Sequence, residues 1–167
     1  VSVAVVLAVL GLLRRVPRNS TLTKWSIGLV VGVIAQIILG AITVMSHLSP
    51  PIVMGHFLLS MVLVWNAVVL VARADPVNLT RGAVSVSKSV KAHAQLVAAF
   101  TIVVIFTGTV VTASGPHGGD EHVERLNFSF PEVARIHGAA VIVLVVLTSS
   151  LMFRVRRTNA DGFRRRV

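Results

Sequence analysis

The sequence predicts an all-α integral membrane protein built as an antiparallel bundle of transmembrane helices, and three observations predict it. Of its 167 residues, 54% are hydrophobic and 13% charged, with a mean hydropathy of +0.85. A soluble domain of this length has no interior large enough for so much apolar surface. Four apolar segments, 25–45, 52–71, 94–113 and 134–153, each reach the roughly 20 residues that a helix needs to cross a hydrocarbon core. The basic residues, finally, gather in alternate loops.

A shorter apolar run, 1–13, precedes the four. It starts without methionine, and Arg14 and Arg15 follow the apolar stretch, the reverse of the order in a secretory signal. It reads as the tail of a helix whose beginning is missing, and the chain as a fragment. In segment 25–45, Gly28, Gly32, Gln36 and Gly40 recur every four residues and lead to Thr43. Small residues at that spacing let membrane helices pack closely. Gln36 is the exception, because an amide at mid-helix needs a partner, which makes it a candidate to face a bound cofactor. Segment 52–71 carries His56, Ser60 and Asn66 near whole helical turns, a polar stripe that should face the bundle interior. Segment 94–113 has a small-residue face of Ala94, Ala98, Thr101, Gly108 and Thr112. In 134–153, His137 heads a weaker stripe continued by Thr148.

Charge placement sets the orientation. Arg14, Arg15, Arg18 and Lys24 share a loop, as do Arg73, Arg81, Lys88 and Lys91, and Arg154, Arg156, Arg157, Arg164, Arg165 and Arg166 crowd the C-terminus. These are fourteen of the sixteen basic residues. The intervening loops hold none (46–51) or are acidic, with Asp120, Glu121, Glu124 and Glu132 against Arg125 and Arg135. The positive-inside rule puts the basic loops in the cytoplasm. Topology thus accounts for the net charge of +10, and nucleic-acid binding, which needs a basic folded surface with a reading element, is set aside. The absence of cysteine excludes disulfides and thiolate metal sites. Trp25 and Trp65 fit an interfacial anchor and a helix-end position.

Two histidines carry the functional argument. His56 follows Pro51 by five residues and His137 follows Glu132 by five. At a rise of 1.5 Å per residue, both sit about 7 Å into a membrane helix, near the outer face. An ionisable group at that depth is costly without a partner or a role, and imidazole is the commonest protein ligand for metals and haem iron. The alternative is a histidine that merely hydrogen-bonds a neighbouring helix. Among the others, His93 reads as solvated at the cytoplasmic mouth. His47 is open between an interfacial role and a cofactor contact. His117 and His122 read as solvated loop residues, their spacing matching no helical or finger-like ligand set.

A weak internal repeat links the two halves. Leu39-Gly40-Ala41-Ile42-Thr43-Val44 ends one helix and Thr107-Gly108-Thr109-Val110-Val111-Thr112 ends another. Each is followed by an external loop and a helix with histidine early in it, which suggests a duplicated helical bundle of the kind known in membrane proteins.

The stretch from Thr107 to Asp120, with Gly115-Pro116-His117-Gly118-Gly119-Asp120 at its end, and the downstream Val133-Ala134-Arg135-Ile136-His137-Gly138 resemble haem A synthases. Gln36 to Val44 with Ser49-Pro50-Pro51-Ile52-Val53-Met54-Gly55-His56-Phe57 resembles the third and fourth helices of the same family. The resemblance extends over essentially the whole chain. It implies eight transmembrane helices in two related four-helix bundles. Residues 1–73 would be the later part of the N-terminal bundle, 74–93 a cytoplasmic linker, 94–153 the first helix pair of the C-terminal bundle, and 154–167 a basic cytoplasmic tail or loop.

The resemblance also implies an oxidoreductase that converts the C8 methyl of haem O to the formyl of haem A for cytochrome oxidase. His56 would belong to the histidine pair at the substrate haem O site, and His137 to the pair that holds a haem b cofactor, both as axial ligands of haem iron. Their partner histidines, and a glutamate that is a candidate for the chemistry, would lie outside this segment. The cysteine pairs of many family members have no counterpart here, so nothing supports a cysteine role. Arg135 is open between a haem propionate and Glu132, and the glycine-rich loop between covering a haem edge and simply turning the chain. Implied partners are the lipid bilayer, haem O synthase and cytochrome oxidase assembly factors, in a bacterial plasma membrane; a homo-oligomer is left open. A b-type membrane cytochrome that only passes electrons and a proton-coupled transporter are the competing readings.

Overall fold

The structure, a computed structural model, describes residues 6–7, 9–11, 14, 20–74, 86–115 and 124–164, with side chains as far as Arg157. His117, His122, most of the glycine-rich loop, the middle of the 74–93 linker and the last three residues of the tail lie outside the described residues, as does most of the run 1–13, of which 6–7 and 9–11 are helical. All regular structure among the described residues is helical: α1 Ser20–Met45, α2 Pro50–Ala74, α3 Lys88–Ser114 and α4 Phe130–Arg164. Four spans, with α4 counted from Phe130 to Arg157, are long and apolar enough to cross a membrane. The helices overrun the apolar segments because polar residues such as Ser20, Lys24, Lys88 and Arg154 continue the hydrogen-bond ladder beyond the hydrocarbon. The first residue of the predicted linker, Ala74, and its last six, Lys88 to His93, are accordingly helical.

The helices pair as two hairpins, α1 with α2 and α3 with α4, in separate units. Lys24 and Arg73 lie at the open end of the first hairpin and Lys88, Lys91 and Arg154 at that of the second, while Arg135 lies near the loop end.

The turn of the first hairpin is tight. Leu48 N donates to Thr43 O at 2.9 Å and His47 N to Val44 O at 3.2 Å, the crossed pair of bonds that closes a helix with a left-handed residue. That residue is His47, at φ 49°, followed by Leu48 at φ 60°. Ser49 then receives Ile52 N and Val53 N on its carbonyl, and Pro50 occupies the first position of α2, where its missing N–H is not needed. In the second hairpin Ser87 caps α3 by accepting from Val90 N, and Glu132 lies in the first turn of α4, where its charge suits the helix dipole.

Little is buried. Leu22, Leu29 and Leu70 form a small core at the open end of the first hairpin, with Trp25, Leu63, Ala67 and Ala74 against it. The Arg73 guanidinium lies 5.0 Å above the Trp25 ring, a cation–π contact that fits an anchor at the interface. Outward residues are large and apolar: Ile37, Ile102 and Ile142 are each about two-thirds exposed. Surface of this kind is stable only against lipid or further helices. Trp65 is also exposed, well inside α2; the helix-end position expected for it is not where it lies, because α2 continues to Ala74.

Candidate functional site

The two stripes read from the sequence of the first hairpin face each other. As the small residues ascend α1 from Gly28 to Gly40, their neighbours descend α2. A Cβ on Gly28 would meet Asn66, one on Gly32 would run into Leu63, and one on Gly40 would lie 3.4 Å from His56 Cε1. Gln36, between them, donates from Nε2 to Ser60 Oγ at 2.6 Å and to the His56 carbonyl at 3.1 Å. Ser60 Oγ also donates to that carbonyl. Three buried atoms are left over: Gln36 Oε1, His56 Nδ1 and Asn66 Oδ1 have no hydrogen-bond partner. An unpaired buried polar atom costs about 1–3 kcal/mol.

The second hairpin repeats the plan with different chemistry. Gly108 of α3 faces His137 of α4, and a Cβ there would lie 3.1 Å from His137 Cε1. Here the imidazole has a partner: His137 Nδ1 is 3.1 Å from Thr107 Oγ1. Thr107 also donates to Val103 O at 2.9 Å. A threonine hydroxyl has one hydrogen, and used on the helix carbonyl it turns a lone pair towards His137. The imidazole then donates from Nδ1 and leaves Nε2 with its lone pair.

The remaining expected residues are distributed as follows. Arg135 is exposed one turn into α4, and among the described residues no ion pair joins it to Glu132. His47 is exposed in the turn. His93 differs from expectation. Instead of standing solvated, its Nε2 lies 3.1 Å from Leu147 O and 3.2 Å from Ser150 Oγ, and Arg154 donates to its Nδ1 at 3.2 Å and to Ser89 Oγ at 3.0 Å. A guanidinium can only donate, so Nδ1 is the acceptor and Nε2–H points at Leu147 O. His93 therefore joins α3 to α4 at their open end. The sequence signal for it is Ser150, late in α4, whereas Thr148, expected to continue the His137 stripe, is exposed. Ala94, Ala98 and Thr112 are exposed too, so the small-residue face expected on α3 packs against α4 only in part.

Among the described residues no group of three or more His, Cys, Asp and Glu could hold a bare metal ion. The residues do fit a haem. An imidazole nitrogen would hold its iron, and a hydrogen bond on the opposite nitrogen would fix the ring; His137 has such a bond, from Nδ1 to Thr107. His56 offers an imidazole whose Nδ1 is still unpaired. Gly40 and Gly108 leave room for each ring against the facing helix.

Fold and site thus define a multi-pass membrane protein whose helical hairpins each turn a histidine near the loop end against the neighbouring helix. The family model of the cytochrome oxidase assembly proteins, COX15-CtaA, matches residues 1–116, and the chain belongs to this family. Its role is in cytochrome oxidase assembly and haem A synthesis. The matched stretch includes Gln36, His56 and Thr107, while Arg135 and His137 lie beyond it. No curated protein and no solved structure matches the chain.

Proposed function

We propose that this protein is a haem A synthase of a bacterial plasma membrane, an oxidoreductase that converts the C8 methyl of haem O to a formyl group. One observation carries the reading: in both hairpins the glycine of the repeated motif faces a histidine two turns into the following helix, Gly40 with His56 and Gly108 with His137. Two equivalent imidazoles near the loop ends, away from the basic open ends, suit two separate haems near the outer face. His56 would hold the haem O substrate and His137 a resident haem b, each through an imidazole nitrogen. Arg135, two residues before His137 and free of Glu132, pairs with a propionate. Gln36 holds the His56 turn of α2 in place. Haem iron supplies the oxidising chemistry, and the chain orients the macrocycle and keeps water from it. The membrane, haem O synthase and oxidase assembly factors are its partners, since substrate and product are both too apolar to travel alone. Residues 1–73 and 94–153 belong to two related bundles joined through 74–93, with 154–167 on the cytoplasmic side.

The test uses the full-length protein. Its absorption spectrum should show a Soret band, and incubation with haem O and a competent electron acceptor should yield hydroxymethyl or formyl haem on pigment extraction. A protein without a Soret band would be a transporter, and one with haem but no haem O conversion an electron carrier; either result ends the synthase reading.

A further inference from the structure

The repeat aligns Leu39-Gly40 with Thr107-Gly108. In both hairpins the histidine turns Cε1 of its ring towards the glycine: Cε1 lies 3.4 Å and Nδ1 3.9 Å from a Cβ built on Gly40, and Cε1 lies 3.1 Å and Nδ1 and Nε2 both 3.7 Å from one built on Gly108. The residue just before the glycine is the one to compare between the two hairpins. In the second hairpin it is Thr107, whose Oγ1 lies 3.1 Å from His137 Nδ1. In the first it is Leu39, which has no polar atom in its side chain, and His56 Nδ1 is buried without a partner.

We propose that Thr107 is a positioning residue that locks the His137 ring with Nδ1 protonated and Nε2 bare, and that Leu39 at the equivalent place leaves the His56 ring unlocked. The difference makes His137 a permanent ligand and His56 an exchangeable one. This rests on both histidines being haem ligands. A ligand imidazole whose far nitrogen donates a hydrogen bond is more basic and better oriented, and loss of such a partner typically weakens metal binding about 10–100-fold. A resident cofactor requires that hold, whereas a substrate site has to release its product. Thr107 does this without a carboxylate, which would bring a second charge into the hydrocarbon region.

Two measurements on the full-length protein test it. The first involves no haem: nitrogen-15 NMR of histidine-labelled, haem-free protein reads each ring's tautomer. His137 should be the Nδ1–H form. Thr107→Ser, which keeps a hydroxyl, should preserve that form, and Thr107→Val, which keeps the shape, should give a mixture of tautomers. An Nε2–H ring in the wild type, or an unchanged ring in Thr107→Val, overturns the proposal.

The second is retention of haem b through gel filtration, with its reduction potential. Thr107→Val should lose haem at least tenfold more readily and shift the potential upward, with both effects restored by Thr107→Ser. Leu39→Thr should slow release from the His56 site while leaving haem b unaffected. Equal retention in Thr107→Val and wild type overturns the locking role even if the tautomer moves. Should the protein bind no haem at all, the synthase reading fails, and the tautomer measurement still decides the hydrogen bond.

Discussion

In the first hairpin the amide of Gln36 reaches across to Ser60 Oγ and the backbone carbonyl of His56, whereas in the second the hydroxyl of Thr107 reaches the His137 ring itself. The open ends differ as well: α1 and α2 close on an apolar cluster around Leu22, Leu29 and Leu70 with Arg73 over Trp25, while α3 and α4 close on His93, Ser150, Arg154 and Ser89. Both hairpins place a glycine opposite the histidine. The glycine is thus the common element, since it lets the imidazole lie close against the facing helix. What surrounds the ring can change. In the first hairpin polar groups fix the helix backbone that carries the histidine, and in the second they fix the side chain. A duplicated scaffold can in this way give two sites of the same ligand type different exchange properties.

Removing each imidazole breaks the comparison most severely. His137→Ala in the full-length protein should abolish bound haem b, read as loss of its Soret absorbance; retention at wild-type occupancy would refute the assignment. His56→Ala should keep haem b and lose conversion of haem O, read by pigment extraction. If His56→Ala also emptied the haem b site, the two histidines would serve one haem and the two-site reading would fall.

A smaller and more discriminating effect comes from adding one methyl group. At Gly108 the new Cβ would stand 3.1 Å from His137 Cε1, at Gly40 it would stand 3.4 Å from His56 Cε1. The first distance forces the ring to shift by a few tenths of an ångström, and the second is close to ordinary contact. Gly108→Ala should therefore lower haem b occupancy severalfold, as the displaced ring loses its bond to Thr107. Gly40→Ala should change haem O conversion by less than about twofold and, through helix propensity, offset part of any strain by up to about 1 kcal/mol. Haem occupancy and thermal unfolding in detergent would read the two variants, and a reversed order of effects would show that the rings do not sit against the glycines as described.

Much of this was legible in the sequence. Hydropathy gave the four spans, and the two stripes, Gly28 to Gly40 and His56 to Asn66, proved to be the two sides of one interface. Period and residue size report which face of a helix is inward, and that is what an antiparallel hairpin needs. The partners of individual atoms were less legible. That Gln36 bonds to Ser60 and that Thr107 bonds to His137 depends on the register between helices, which the period does not fix. His93, expected to be solvated at the cytoplasmic mouth, differs for the same reason: register brings Leu147 O and Ser150 against the ring. The exposed Ala94 and Ala98 show the converse, since small residues on a membrane helix need not face the nearest neighbour.

The smallest expected effect concerns His47, which the sequence left between an interfacial role and a cofactor contact. The first hairpin closes through a four-residue turn, Ser46 to Ser49, in which His47 takes φ 49° and donates its backbone N–H to Val44 O. The left-handed region disfavours a Cβ, and glycine is the usual occupant of this closing position. Histidine is tolerated there better than most residues, but it still carries the steric cost that glycine avoids. His47→Gly should therefore leave haem content and haem O conversion unchanged and raise the stability of the hairpin by no more than about 1 kcal/mol, part of the relief being lost to the greater backbone freedom of glycine when unfolded. Thermal unfolding in detergent and the absorbance ratio of haem to protein would measure both quantities. A loss of haem on this substitution would mean that the His47 side chain has a ligand or propionate role, and the first hairpin would then hold two functional histidines against one in the second.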